Sequence, residues 1–509
     1  MEMTFICNNT VDMNKADNTK IGESGLLQKI NGLKLSELHD KFGGRCFFVL
    51  PRGLAGSPDL RDDEGCTVIA HPGDKQETKY KTGNVMGFIG YAGDALTITS
   101  PFVSAVDKKK NEDLYLIDER PAQLNGFGAD WFLQYLLQRV LGLRLDLVDL
   151  SINADVETRI FQLMVLLFPN FLHQAMLKGP FSTYIRHQHN DLAVRGPIDV
   201  DRQIISNIGR RDRLAYSSYD PSPDNMMNQL VRHTIEMIPR LYPERGLGRG
   251  VLGDLRIRKD IRAIRRATDA TYNPYDWVKV VEYNRRNPFK HPYYSEYADL
   301  QKLCLAIIDR QSIAAKGHAN DMYGILFDGA WLWEEYVGKV LGSQFWHPKN
   351  RLKGHAGSGE QMLLRRMDKD RDASKACVGQ IFPDFVTADG NFVLDAKFKV
   401  TTGISGNDYK QVLTYMFRFG TSRGYYLHPL RNDGKLNDDE NELIEYRLLK
   451  GVDGHDFTRE LFDVDQTQDV TVYKIGLNIP SEDCSYPQFS KQMGKNEDRM
   501  RKLIQHPES

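Results

Sequence analysis

Two carboxylates and a lysine stand close together in the stretch from Gln380 to Tyr415, as Pro383-Asp384, ten residues, then Asp395-Ala396-Lys397. Phosphodiester hydrolysis needs a nucleophilic water, an in-line path, and neutralisation of the charge that grows on the phosphorane oxygens and the leaving group. One or two Mg2+ ions do this when carboxylates hold them beside the scissile phosphate. Asp384 and Asp395 are hard oxygen ligands of the right kind, and the backbone carbonyl of Ala396 can be a third. Lys397 can orient the attacking water, lower its pKa or stabilise the transition state. Gln411 and Tyr415 supply neutral donors that can position DNA or hold the lysine and acids in place. Glu334, with Glu335 as its rival, is a candidate to complete the metal shell.

Phe385-Val386 and Phe392 to Lys397 read as short strands joined by a turn at Ala388-Asp389-Gly390-Asn391. Alternation along a strand projects Asp395 and Lys397 together, away from Leu394 and Ala396. A hairpin of this kind brings Asp384 beside them. A helix then follows a glycine-rich loop, with Asn407 as N-cap, and places Gln411 and Tyr415 one turn apart on one face. A bare D…D-x-K arises by chance in many chains of this length. The strand-turn-strand setting, an aspartate in a β run that disfavours carboxylates, and the Gln-x-x-x-Tyr helix raise its weight. The blander reading is a surface ion pair on an edge strand, and the apolar neighbours Phe392, Val393, Leu394 and Phe398 argue against it.

The 509 residues, 41% of them hydrophobic, have room for two to four domains. A net charge of -1 excludes nothing about nucleic acid, because local charges cancel in the sum. The six cysteines are scattered without a C-x-x-C pair, so neither a zinc site nor a disulfide framework is signalled. No signal peptide is legible, and the longest apolar run, Phe161 to Phe168, is far too short to span a membrane. A soluble cytoplasmic protein without a membrane partner is expected. No G-x-x-x-x-G-K-[ST], H-E-x-x-H or G-x-S-x-G occurs, and the glycine-rich Gly246 to Gly253 loop lacks the setting of a nucleotide site. His187 and His189 read as structural or surface residues.

Along the chain, Phe47 to Leu50 reads as a strand, Asp59 to Gly65 as a loop, and Val85 to Phe102 as a hairpin turning at Ala92-Gly93-Asp94. Lys108-Lys109-Lys110 reads as a solvated turn. Helices are expected from Ala129 to Gly142, from Asp155 to Met176 with a break or kink at Pro169, after Asp224 as N-cap, and from Asn320 to Leu341. Leu192 to Asp199 reads as a strand and turn, and Leu214 to Tyr219 as a strand. Residues 244 to 266 hold eight Arg/Lys against three acids; this is either a phosphate-binding face or a solvated helix face. A second basic segment runs from Arg351 to Arg371. After a strand at Gly424 to His428, Arg431 to Asp469 carries twelve acids against five basic residues and reads as loop and surface. A last strand covers Val470 to Ile479.

The D-x10-D-x-K hairpin with its Gln-x-x-x-Tyr helix resembles the PD-(D/E)xK nuclease superfamily. More of the chain is similar to the McrC subunits of McrBC-type restriction systems, including the LlaJI-like branch. The matching pieces are Ile98 to Phe102, Asp130 to Leu141, Val194 to Ile204, Leu214 to Val231, Leu332 to Val337 and the nuclease core, in the family's order across residues 85 to 430.

The resemblance implies an α/β, mixed multi-domain chain: an N-terminal β-rich region (1–128), a mainly helical middle region (129–318), and a PD-(D/E)xK restriction-endonuclease-like domain (319–509) with a central mixed sheet flanked by helices. It implies a Mg2+-dependent restriction endodeoxyribonuclease acting on double-stranded foreign DNA and stimulating a McrB-like AAA+ GTPase, with the N-terminal and middle segments docking at its ring. It carries catalytic roles onto Asp384, Asp395, Lys397, Gln411 and Tyr415, and metal ligation onto Asp384, Asp395, Ala396 and Glu334. Double-strand cleavage by one active site calls for two copies meeting at the DNA. The alternatives are a non-cleaving DNA-binding adaptor that regulates the motor, and a stand-alone structure-specific nuclease.

Overall fold

Strands Val85–Tyr91 and Asp94–Thr99 pair antiparallel, as the alternating pattern predicts. Ala92 and Gly93 between them both take positive φ, 51° and 85°, the backbone that a tight two-residue hairpin turn requires. The computed structural model describes residues 2–7, 10–12, 24–42, 47–51, 68–70, 79–102, 130–143, 156–210, 212–243, 246–316, 322–346, 361–365, 377–387, 390–399, 406–431, 440–449, 467–481 and 484–507. The Asp59 to Gly65 loop, Lys108 to Lys110, most of the Arg351 to Arg371 basic segment, Ala388-Asp389 and much of the acidic 431–469 region lie outside the described residues.

Two units partition the chain: Met1–Arg52 with Gly56–Ile160 and His318–Ser509, and Gly53–Ala55 with Phe161–Gly317. The sequence places divisions at 128 and 318; the units divide inside the helix Val156–Met176 and at Gly317.

The first unit carries two larger sheets. In the five-stranded one, Glu2–Ile6, Asp94–Thr99, Val85–Tyr91, Tyr323–Asp328 and Phe47–Leu50 lie side by side in that order. Residues 320–341 therefore correct the expectation of one long helix. The run Tyr323–Asp328 is a central strand, and the helix is Gly329–Leu341. Asp328 makes the switch, its carboxylate accepting from the Ala330 and Trp331 N–H groups at 2.9 and 3.2 Å. The neighbouring helix Trp131–Leu141 is capped by Asp130, which accepts from Leu133 N–H at 2.9 Å and also takes the Ser100 N–H and hydroxyl at 2.5 and 2.6 Å. Two segments far apart in sequence are so tied at one buried carboxylate.

The six-stranded sheet is mixed, in the order Phe345–Trp346, Phe385–Thr387, Phe392–Ala396, Arg423–Arg431, Thr467–Ile479, Glu442–Leu449. Its three inner strands from Phe392–Ala396 onward run parallel, and the rest pair antiparallel. Glu442–Leu449 corrects the reading of the acidic region as loop and surface: its outer residues alternate too weakly in polarity to mark an edge strand. One face of the sheet packs against Gly329–Leu341 and the C-terminal helix Tyr486–Gln505. Tyr425 OH donates to the Ile504 carbonyl at 2.9 Å, and the Trp333 and Phe398 rings stand 6.4 Å apart. The helix Tyr486–Gln505, unread in the sequence, opens with a capping box between Ser485 and Gln488. Its buried Glu497 accepts from Tyr135 OH at 2.7 Å, Tyr336 OH at 2.8 Å and Arg139 at 2.6 Å, joining three helices at one charge.

In the second unit, Met226–Leu241 packs against Glu296–Lys316, Trp277–Arg286, Arg258–Ala267 and Leu247–Leu252. Its N-cap is Asn225, one residue after the expected Asp224. Strands Thr183–Asp191 and Leu214–Ser222 form a two-stranded hairpin whose connection holds the short helix Val200–Asn207. Leu192 to Asp199, expected as strand and turn, has only an isolated bridge at Ile198, because the ladder ends at Asp191. Helix Val156–Met176 continues through Pro169.

Candidate active site

Asp395 is the fourth residue of the strand Phe392–Ala396, in the middle of the six-stranded sheet and only 1% exposed. The antiparallel register Phe385↔Leu394 and Val386↔Val393, continued by one residue, sets Asp384 directly across from Asp395. Asp384 is held there by the Ala396 N–H, which donates to its Oδ2 at 2.9 Å. The Lys397 ammonium lies 3.1 Å from Asp395 Oδ2, and its own N–H donates to the Leu427 carbonyl at 2.9 Å, fixing the residue to the next strand. The structure thus brings Asp395 and Lys397 together as the strand alternation requires, with Asp384 set beside them by the hairpin register and the Ala396 backbone N–H.

Neither Asp395 carboxylate oxygen accepts a well-formed hydrogen bond among the described residues. Burial, then the charge of Asp384, pushes this carboxyl up to about 7 in spite of Lys397. Lys397 moves the other way from what burial alone would do: the Asp395 and Asp384 charges outweigh desolvation and hold its pKa above the ordinary value. A buried carboxylate with unused lone pairs, facing a second carboxylate, is a donor set that a hard divalent cation satisfies. The residues present therefore fit Mg2+. Among the described residues no cluster of three or more His, Cys, Asp or Glu side chains is placed to hold a metal. Glu334, half-buried on Gly329–Leu341, does not join Asp384 and Asp395 in such a cluster.

The helix Gly406–Phe419 lies over this face of the sheet, with Val412, Tyr415 and Met416 packed on Val386, Val393, Tyr426 and Val472. It begins at Gly406, so Asn407 is inside the first turn and is not the N-cap. Its approach is close: a Cβ on Gly424 would stand 2.5 Å from Met416 Sδ and 2.7 Å from Val412 Cγ1. Gln411 and Tyr415 meet as expected, Gln411 Nε2 donating to Tyr415 OH at 2.5 Å. The Tyr415 hydroxyl donates in turn to the Phe382 carbonyl at 3.0 Å, two residues before Asp384. Burial first, then the Asp395 and Asp384 charges, raises the Tyr415 pKa, so the phenol stays protonated and available as this donor.

Three further residues belong to the site that the motif does not include. Lys399 Nζ lies 3.0 Å from both oxygens of Asp408, and Tyr426 OH donates to Asp408 Oδ2 at 3.3 Å. The signal was present in spacing: Asp408, Gln411 and Tyr415 follow the i, i+3, i+7 pattern of one helix face. Tyr426 is the register partner of Asp395 in the parallel pair.

Residues 80–429 match the model of a family described as McrBC 5-methylcytosine restriction system component. No curated protein matches the chain. Among solved structures, it is similar to a refined half-complex from a tetradecameric assembly of Thermococcus gammatolerans McrB AAA+ hexamers with bound McrC. The identity there is 14% and the TM-score 0.41, covering 98% of this chain and 100% of that one. The cryo-EM structure of the Thermococcus gammatolerans McrBC complex matches at 15% identity and TM-score 0.29, over 67% of this chain and 87% of that one.

Proposed function

The chain belongs to the McrBC 5-methylcytosine restriction system component family, and from that premise we propose that it is the DNA-cutting subunit of such a system. In this reading the six-stranded sheet with Gly406–Phe419 is a PD-(D/E)xK nuclease domain that hydrolyses double-stranded DNA and works with a McrB-like AAA+ GTPase. The observation that carries it is Asp395, a buried carboxylate set opposite Asp384 with its Oδ2 3.1 Å from the Lys397 ammonium.

Asp384, Asp395 and the Ala396 carbonyl would hold Mg2+, which when bound neutralises charge on the phosphate and favours ionisation of a water. The chain's own groups do the rest. The Ala396 N–H fixes Asp384 by donating to its Oδ2 and so orients the carboxylate. Lys397, kept protonated by the two acids, presents positive charge where negative charge develops on the phosphorane. Tyr415, braced by Gln411, holds the Phe382 carbonyl and with it the backbone leading into Asp384.

The partner surface we assign to the second unit is the hairpin with its inserted helix. It exposes Leu192, Val200, Ile204, Ile205 and Ile208, more apolar side chain than an isolated surface normally leaves in water. The test uses the purified chain with its AAA+ partner, GTP and Mg2+. Asp384→Ala and Lys397→Ala should each lower DNA cleavage by at least about a thousandfold while partner GTPase stimulation is retained. Cleavage surviving in both variants would sink the nuclease assignment. Protection from foreign DNA by cleavage-dead variants would favour the regulating adaptor.

A further inference from the structure

The site holds two lysine–carboxylate pairs, and the nuclease reading uses one of them. Lys397 faces Asp395 at 3.1 Å, while Lys399, two residues on, takes both oxygens of Asp408 at 3.0 Å. Asp408 is 5% exposed and lies in the first turn of Gly406–Phe419, where Tyr426 OH reaches it at 3.3 Å. Tyr426 sits on the strand next to Asp395 and at the same level. The helix is therefore fastened at its start to the end of the Asp395 strand, through Lys399, and to the neighbouring strand, through Tyr426. One face-turn pair later the Tyr415 hydroxyl fastens it to Phe382, ahead of Asp384.

We propose that Lys399, Asp408 and Tyr426 are positioning residues for the nuclease reaction: their contacts set the separation of Asp384 and Asp395 by bracing both strands against one helix. This inference rests on the nuclease reading. Two features make the brace more than ordinary packing. Its two ends engage the segments flanking the two acids, Lys399 after the Asp395 strand and Phe382 ahead of Asp384, so helix movement changes the gap between them and not just their common position. A carboxylate pinned by an ammonium on both oxygens is also withdrawn from competition for Lys397, which leaves that lysine to Asp395. Neither effect requires Lys399, Asp408 or Tyr426 to touch DNA.

The experiment measures single-turnover DNA cleavage by the chain with its AAA+ partner, at several DNA and Mg2+ concentrations. Asp408→Asn and Lys399→Met should slow cleavage on the order of a hundredfold, the size of effect that misplacement by an ångström produces. The DNA concentration for half-saturation should stay unchanged, and more Mg2+ should be needed for half-maximal rate. Lys399→Arg, which keeps the charge and the reach, should stay within a few-fold of the parent. Tyr426→Phe removes one hydroxyl and disturbs folding least, and should slow cleavage on the order of tenfold. The inference is overturned if Asp408→Asn and Tyr426→Phe cut at the parental rate, or if Lys399→Met and Lys399→Arg behave alike. Cleavage unaffected by Asp384→Ala in the same assay would overturn the nuclease reading, and this inference with it.

Discussion

The two faces of the six-stranded sheet solve opposite problems with the same strands. Toward Gly329–Leu341 and Tyr486–Gln505 point Leu394, Leu427, Ile475 and Leu477, all fully buried, with Tyr425 and Tyr473 stacked at 5.4 Å. Toward Gly406–Phe419 the same strands turn Asp395, Tyr426, His428 and Lys474, also almost wholly buried. The first face is what a sheet does to fold: apolar area leaves water, and the buried Glu497 carboxylate on a covering helix takes the Tyr135 and Tyr336 hydroxyls. The second keeps ionisable groups out of water beside one another, which lowers stability and sharpens electrostatics. Strand alternation lets one sheet hold both without compromise, since neighbouring residues along a strand never share a face.

Truncation on the apolar face should therefore show the largest loss of stability. Trp333→Ala, at a fully buried ring packed on Phe398, is expected to cost about 3–5 kcal/mol by chemical denaturation. Glu497→Ala probes a buried carboxylate beneath that side. It leaves two buried tyrosine hydroxyls and Arg139 without their acceptor, and about 3 kcal/mol of destabilisation should follow. A cost near zero for Glu497→Ala would mean that the three helices are joined by packing alone.

On the polar face the sign reverses. Asp395→Asn should abolish cleavage and yet stabilise the chain in chelator at pH 8 by roughly 1–2 kcal/mol. The sign follows from the shift: the folded chain holds the Asp395 proton up to about 7, against an ordinary value of 3.8. Folding stability thus falls as pH rises between those values, and Asn removes that fall. Mg2+ should raise the melting temperature of the parent and not of the variant. A further test lies at Glu442, where His428 at 3.6 Å and Lys474 at 2.6 Å hold the carboxyl down to about 2 from its usual 4.5. That contribution is present above pH 4.5 and is lost as pH falls toward 2, so Glu442→Gln should flatten the acid limb of a stability profile there.

The hairpin that carries Asp384, Asp395 and Lys397 was legible because its logic is local. Asp384, Asp395 and Lys397 lie within fourteen positions, and period-two alternation alone fixes which of them meet. The same was true of Gln411 and Tyr415, one helical turn apart. Long-range pairings could not be read in this way. Tyr323–Asp328 merges with the apolar start of the following helix, and only its neighbours Val85–Tyr91 and Phe47–Leu50 make it a strand. Glu442–Leu449 looks like acidic surface because it is an edge strand with one wet side. Lys399 and Asp408 were passed over for a different reason: an ion pair across a loop is indistinguishable, in sequence, from two solvated charges.

Asp328 closes a strand and opens a helix with no residue between them. Gly329, the first helical residue, donates its N–H to the Asn84 carbonyl at 2.9 Å, and a Cβ there would stand 3.1 Å from the Phe398 ring. A central strand of one sheet and the helix supporting the other are thus joined with no loop between them. The helix that carries Trp333, whose ring stands 6.4 Å from that of Phe398, one residue from Lys397, thus continues directly from a central strand of the five-stranded sheet.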